Sequence, residues 1–114
     1  MTMKNIYRES NTETAVAVTH EMLTSMVGAR KQRFINSFTM INHTTAASVC
    51  NTSISRLGVK HLLDTVTLTV AGRRYRSKPE YWLNAGEILG FDFTGVVVGD
   101  KLSVYLEGEE ISED

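Results

Sequence analysis

Asp64-Thr65-Val66-Thr67-Leu68-Thr69-Val70-Ala71-Gly72 alternates without a break. Val66, Leu68 and Val70 fall on one side, and Thr65, Thr67 and Thr69 on the other. A period of two belongs to a β-strand, whose successive side chains point to opposite faces. β-Branched threonines on one face and aliphatic residues on the other describe a half-buried antiparallel strand with one side in water. Ala71-Gly72 supplies the turn that ends it.

The same reading extends in both directions. Upstream, AASVCNTSISRL (residues 46–57) puts Ala47, Val49, Asn51, Ser53 and Ser55 on one face and Ser48, Cys50, Thr52, Ile54 and Arg56 on the other. Period two is clear there, but which face is buried is not. FINSFTMIN (residues 34–42) is a further β-rich run, and Ala15-Val16-Ala17-Val18 is expected to open a strand. Downstream come YRSKPEYWL, with Pro79 in a connection, the turn Asn84-Ala85-Gly86, EILGFDF, and the turn Val98-Gly99-Asp100. The closing strand KLSVYLEG alternates Leu102, Val104 and Leu106 with Ser103, Tyr105 and Glu107. Turn signals every 8–12 residues or so are those of a sandwich or barrel. The fold class is therefore all-β: a single-domain antiparallel β-sandwich, jelly-roll or immunoglobulin-like. Only residues 19–32 offer a helical stripe (Met22, Leu23, Met26, Val27), with Gly28 as its stop. A short helix near 19–28 competes there with a strand. Residues 1–13, polar and unpatterned, read as an N-terminal arm. Residues 14–110 form the sandwich, and 111–114 an acidic tail that ends the glutamate-rich EGEEISED.

Composition narrows the function. A chain of 114 residues holds one core, and 42% hydrophobic with 22% charged residues is ordinary globular composition. A net charge of −1 gives no bulk attraction to nucleic acid or an anionic membrane, so neither is expected as a partner. Cys50 is the single cysteine, which rules out an internal disulfide and a four-cysteine zinc site and suits a reducing cytosol. No run approaches the roughly 20 apolar residues of a spanning helix, and MTMKNIYRES lacks the apolar core of a secretion signal. A soluble protein without an export address is the expectation.

No catalytic set assembles. His20, His43 and His61 lack metal-ligand spacing, and no cofactor or metal site is expected. Cys50 sits mid-strand, where a thiol is usually inert. Asp92 and Asp100 suggest an acid/base pair, or calcium ligands with Asn84 and Glu87; turn chemistry after Gly99 accounts for Asp100, and an outward strand position for Asp92. Gly86, Gly90, Gly95 and Gly99 are too dispersed for a phosphate loop. The two acceptor-like triplets at Asn42 and Asn51 arise readily by chance. The basic clusters are more informative: Arg30, Lys31 and Arg33, then Arg73, Arg74, Arg76 and Lys78 around Tyr75. Arginine is favoured at protein interfaces. Tyr81 and Trp82 follow, with Trp82 expected in the core and a sugar platform of Tyr75, Tyr81 and Trp82 as the alternative.

From about residue 33 to 110 the order of signals resembles that of small virion proteins of tailed bacteriophages. The stretches concerned are Asn42-His43-Thr44-Thr45, SVCNTSIS, Lys60-His61-Leu62-Leu63, Leu83-Asn84-Ala85-Gly86-Glu87, and Val104-Tyr105-Leu106-Glu107-Gly108-Glu109. The resemblance is one of pattern, and the basic Arg73-Arg74-Tyr75-Arg76 segment departs from it. It implies a jelly-roll or immunoglobulin-like sandwich that decorates or cements a capsid, with no catalytic residues to carry over.

The expectation is a non-enzymatic structural protein of a phage virion, made in the host bacterial cytoplasm. It would bind the major capsid protein, or other virion proteins, to staple subunits and stabilise the head. A neck, tail or fibre-attachment component and a carbohydrate-binding module are the alternatives. Candidate contacts are Ile6, Tyr7 and Arg8 of the arm, Arg30, Lys31 and Arg33, and Arg73, Arg74 and Arg76 with Tyr81. Edge pairing makes a homo-oligomer plausible.

Overall fold

Nine strands run through the described residues, and the run at 64–72 contributes the end of one of them. The structure, a computed structural model, describes residues 2–78 and 80–113. Met1 of the expected arm, Pro79 of the expected connection and Asp114 of the expected tail lie outside the described residues. The strands are β1 (Thr2–Thr14), β2 (Thr19–Leu23), β3 (Lys31–Asn42), β4 (Ser48–Arg56), β5 (Val59–Leu68), β6 (Tyr75–Ser77), β7 (Tyr81–Asn84), β8 (Ile88–Thr94) and β9 (Lys101–Glu113).

All pairing is antiparallel. One sheet runs β1-β9-β3-β6, with β7 also on β3, and the other runs β2-β8-β4-β5. The pairs nest: β1 with β9, β2 with β8, β3 with β6 and β7, β4 with β5. Counting β6 and β7 as one interrupted strand, this is an eight-stranded hairpin rolled into two sheets, the jelly roll. The first of the two sandwich expectations is the one adopted.

The core lies between the sheets. Ile35, Phe38 and Met40 of β3 and Leu102, Val104 and Leu106 of β9 face Met22 of β2, Cys50 and Ile54 of β4, and Leu89, Phe91 and Phe93 of β8. Phe38 and Phe91 meet edge to face, with centroids 5.3 Å apart. On β4 the buried face is the one carrying Ser48, Cys50, Thr52 and Ile54. Burial pushes the Cys50 thiol up, assisted by the charge of Asp92, so it stays protonated and inert. A bulge in β3 between Ile35 and Ser37 lets the strand change step against β9. Gly108 lies opposite Ile35 there, and any Cβ would run into the Phe34 carbonyl oxygen.

Four expectations are corrected. Residues 2–14 are not an arm: they pair along their whole length with β9 as an edge strand. The tail is not free either, since β9 continues to Glu113. No helix occurs over 19–28; Thr19–Leu23 is β2, and 24–30 is a connection, held by Thr24 N to Leu89 O and Val27 N to Glu87 O, that ends in a turn at Ala29-Arg30. Met22 and Val27 are buried as strand and loop residues, while Leu23 and Met26 are exposed, so the apparent stripe never forms one face. Finally, Ala15–Val18 is the β1–β2 loop, in which Ala15 is buried and Val16 and Val18 stand in solvent.

Candidate docking surface

Register places side chains on the outer face of the β1-β9-β3-β6 sheet in rows. Ile6, Glu109, Phe34 and Trp82 make one row, and Ser10, Tyr105, Thr39 and Arg76 another. Down the strands the charges sort into columns. Lys4 and Arg8 stand on β1, Glu107 and Glu109 on β9, and Arg76, with Arg74 just before β6, on the far side. Lys4 Nζ lies 3.1 Å from Glu109. Between the second and third columns is an open depression of about 370 Å³ lined by Ser37, Thr39, Arg74, Arg76, Tyr105 and Glu107. Arg76 Nη2 donates to Ser37 Oγ at 3.4 Å, which holds one guanidinium across its wall.

Apolar groups interleave with these charges. Ile6 is 77% exposed, Trp82 48% and Tyr105 40%. Trp82 packs against Phe34 with centroids 4.8 Å apart and ring planes tilted by 45°, and it is half exposed, so the tryptophan expected in the core lies on the surface instead. Its position across from Phe34 fixes that outcome: Tyr81 and Leu83, its neighbours on β7, face inward opposite Ile35 and Arg33.

The candidate contacts thus divide. Ile6, Arg8, Arg74 and Arg76 come together on this outer face. Arg73 is exposed beside Tyr75, its guanidinium 5.4 Å from the ring centroid. Arg30 and Lys31 flank a separate shallow site with Gln32, Ile111 and Glu113. Tyr81 faces inward, its hydroxyl donating to Leu63 O at 3.4 Å. Tyr75 also faces inward, opposite Met40, so the sugar platform of Tyr75, Tyr81 and Trp82 does not share a face.

Arg33 and Tyr7 hold the fold instead. Arg33 is 4% exposed. Its Nε and Nη2 donate to Glu110 Oε2 at 3.1 and 2.9 Å, and its Nη1 donates to Ser25 O at 2.7 Å. The guanidinium sits 4.1 Å over the Tyr7 ring. Tyr7 donates to Glu9, and Glu9 accepts from Ser25 N and Oγ. Burial, then the bond to Glu9, pushes the Tyr7 phenol above its ordinary value, against the pull of Arg33. The cluster bolts edge strand β1 to the 24–30 connection.

On the opposite sheet Lys60 bridges Glu21 and Asp92. Burial, followed by the neighbouring Glu21, pushes the Asp92 carboxyl up. Thr65 Oγ1 donates to Asn51 nearby. Among the described residues no group of three or more His, Cys, Asp or Glu side chains is placed to hold a metal ion. No helix among them is long and apolar enough to cross a membrane. Tyr105 and Glu107 were legible as outward positions of an alternating strand. The Phe34–Trp82 pair was not, because nothing in the sequence reveals which strands become neighbours.

No family model matches the chain, and no curated protein matches it. Solved structures do. The NLP core of Drosophila, a structure giving insight into pentamer formation and histone binding, superposes with a TM-score of 0.50 at 11% identity, over 91% of this chain and 97% of that one. The likeness is one of fold. Weaker matches include the structure of infectious bursal disease virus strain Gt (TM-score 0.47, 9% identity, 95% of this chain and 31% of that one). The VP2 subviral particle of the same virus matches with a TM-score of 0.40, at 10% identity over 97% and 32%.

Proposed function

We propose that this chain is a non-enzymatic structural protein that binds an assembled protein surface, and that it serves as a capsid-decorating or stapling component of a phage virion. One observation carries the reading: the outer face of the β1-β9-β3-β6 sheet. It is a strand-built, rigid surface on which Ile6, Trp82 and Tyr105 stand exposed among Arg8, Arg74 and Arg76. Exposed aromatics among arginines are the composition of protein-binding hot spots. The depression beside them is open and charged rather than enclosed, which suits a protruding acidic side chain of a partner better than a small substrate. The resemblance in signal order to small virion proteins supplies the virion context.

The mechanism is linkage. A protein that binds the assembled shell and not its free subunits stabilises the shell in proportion to occupancy. The test is the copy number of this protein in particles purified from its source, against the major capsid protein. A ratio near one, or a simple fraction of one set by a symmetry axis, is expected. A handful of copies moves the protein to the neck or tail, and absence from particles ends the virion reading.

A further inference from the structure

One side of the β1 backbone is unused. The strand pairs with β9 from Thr2 to Thr14 without a shift in register. Among the described residues, none of its N–H or C=O groups makes any other main-chain bond. Such an edge is a template for a further strand unless something blunts it. The other edges are blunted. β2, β6 and β7 are only five, three and four residues long. β5 runs for ten residues, but its pairing with β4 skips Leu63, whose carbonyl accepts from the Tyr81 hydroxyl. β1 has neither a bulge nor a proline. Charge also guards edges, yet the charges of β1 are engaged within the copy. Lys4 pairs with Glu109, Glu9 accepts from Ser25, Glu13 meets His20, and Arg8 stands opposite Glu107.

We propose that β1 pairs antiparallel with β1 of a second copy, about a two-fold axis that passes through Tyr7 perpendicular to the sheet. Two β1-β9-β3-β6 sheets then become one continuous sheet. The argument for a second copy as occupant is that the strand complements itself in one register. A two-fold contact sets residue i against j and j against i. Residues directly opposite each other share a sheet face, so the axis passes through a residue and not between two. Centred on Ile6, Lys4 would meet Arg8; centred on Arg8 or Glu9, each would meet its own copy. Centred on Tyr7, Lys4 of one copy meets Ser10 of the other, Asn5 meets Glu9, and Ile6 meets Arg8. No like charges are opposed, and the overlap runs from Thr2 to Thr12. Centring on Asn5 or Ser10 also opposes no like charges but pairs fewer residues. The affinity comes from the backbone, not from apolar area. An antiparallel ladder forms about one main-chain hydrogen bond for each residue pair, and strand addition draws its strength from these. This inference is independent of capsid docking, which uses the outer sheet face and not its edge.

Sedimentation velocity over a dilution series of the purified full chain tests it. A mass of two copies is expected. Ser10 is exposed and faces the uncharged Tyr105 in its own sheet, so a charge placed there acts mainly across the new contact. Ser10→Glu sets a carboxylate against Lys4 of the other copy and is expected to tighten the dimer. Ser10→Lys opposes two ammonium groups and is expected to loosen it. Each pair occurs twice across the axis, so the two dissociation constants should differ about tenfold. Opposite signs are specific to this register: an axis at Ser10 would make both variants weaker, and one at Asn5 would leave both unchanged. Thr67→Lys, on the β5 edge, is expected to have no effect. Circular dichroism melts check folding, and Ser10→Arg replaces the lysine variant if that one fails the check. A wild-type mass other than two copies overturns the proposal. So do shifts of the same sign, or no shift, in the two Ser10 variants, and so does dissociation by Thr67→Lys.

Discussion

Asp100 is 2% exposed and yet its carboxylate carries the hydrogen bonds that tie two loops and the end of β3 together at one end of the sandwich. Burial alone would raise its carboxyl. The bonds from Thr45, the Val97 backbone and Asn42 outweigh that, and the net result lies below the ordinary aspartate value. A folded-state value lower than the unfolded one contributes stability that is present above the unfolded pKa, near 3.9, and lost as pH falls through the lower folded value. Stability is therefore expected to drop in the acid range below pH 4, with the 95–99 loop loosening first. Asp100→Asn, which puts an amide NH₂ where an acceptor is needed, should cost about 1–3 kcal/mol at neutral pH. It should also flatten the acid limb. Urea titrations of both proteins between pH 3 and 7 check the two effects; parallel pH profiles would remove Asp100 from the account.

At the scale of elements, β1 decides how the sequence is to be understood. Its residues carry no hydrophobic alternation: Lys4, Ile6, Arg8 and Ser10 face out, and Asn5, Tyr7, Glu9 and Asn11 face in. An arm was the natural reading, because an edge strand over a polar rim needs little apolar burial of its own. What holds β1 is main-chain pairing to β9 plus the Arg33 cluster, and neither leaves a mark in local composition. The central strands were legible for the opposite reason. β9 and the end of β5 bury one face each, so Leu102, Val104, Leu106 and Leu68 repeat with period two. The stripe at 19–28 misled because Met22 and Val27 are buried by two different elements, which a helical wheel merges into one. The element-scale prediction follows from Arg33. Removing it leaves Ser25 O without its donor and Glu110 with Lys31 alone, at 3.4 Å, and Arg33→Ala is expected to cost about 1–3 kcal/mol. The exposed Arg30→Ala should change stability by less than about 0.5 kcal/mol. Hydrogen exchange should show the amides of β1 losing protection in the first variant and keeping it in the second.

For the molecule as a whole, the outer face of the β1-β9-β3-β6 sheet brings together charges that the sequence keeps far apart. Arg8, Arg74, Arg76 and Glu107 become neighbours through β9, and the candidate clusters at 30–33 and 73–76 are sorted by strand register into fold-holding and solvent-facing members. A net charge of −1 offers no long-range attraction to an acidic partner, so whatever steering exists must come from this local arrangement. Reversing Arg74 and Arg76 to glutamate sets two new negative charges beside Glu107. Each exposed charge is worth only about 0.2–1 kcal/mol in a static pair, but like charges brought together across an interface cost several. The double variant should therefore lose at least tenfold in binding to particles stripped of this protein, mostly through slower association. Its residual binding should strengthen with added salt, as screening hides the repulsion, whereas wild-type binding should weaken. Lys60→Glu, on the opposite sheet, should alter neither. Association rates measured across a salt series separate these cases, and identical salt slopes for wild type and the double variant would move the docking surface away from this face.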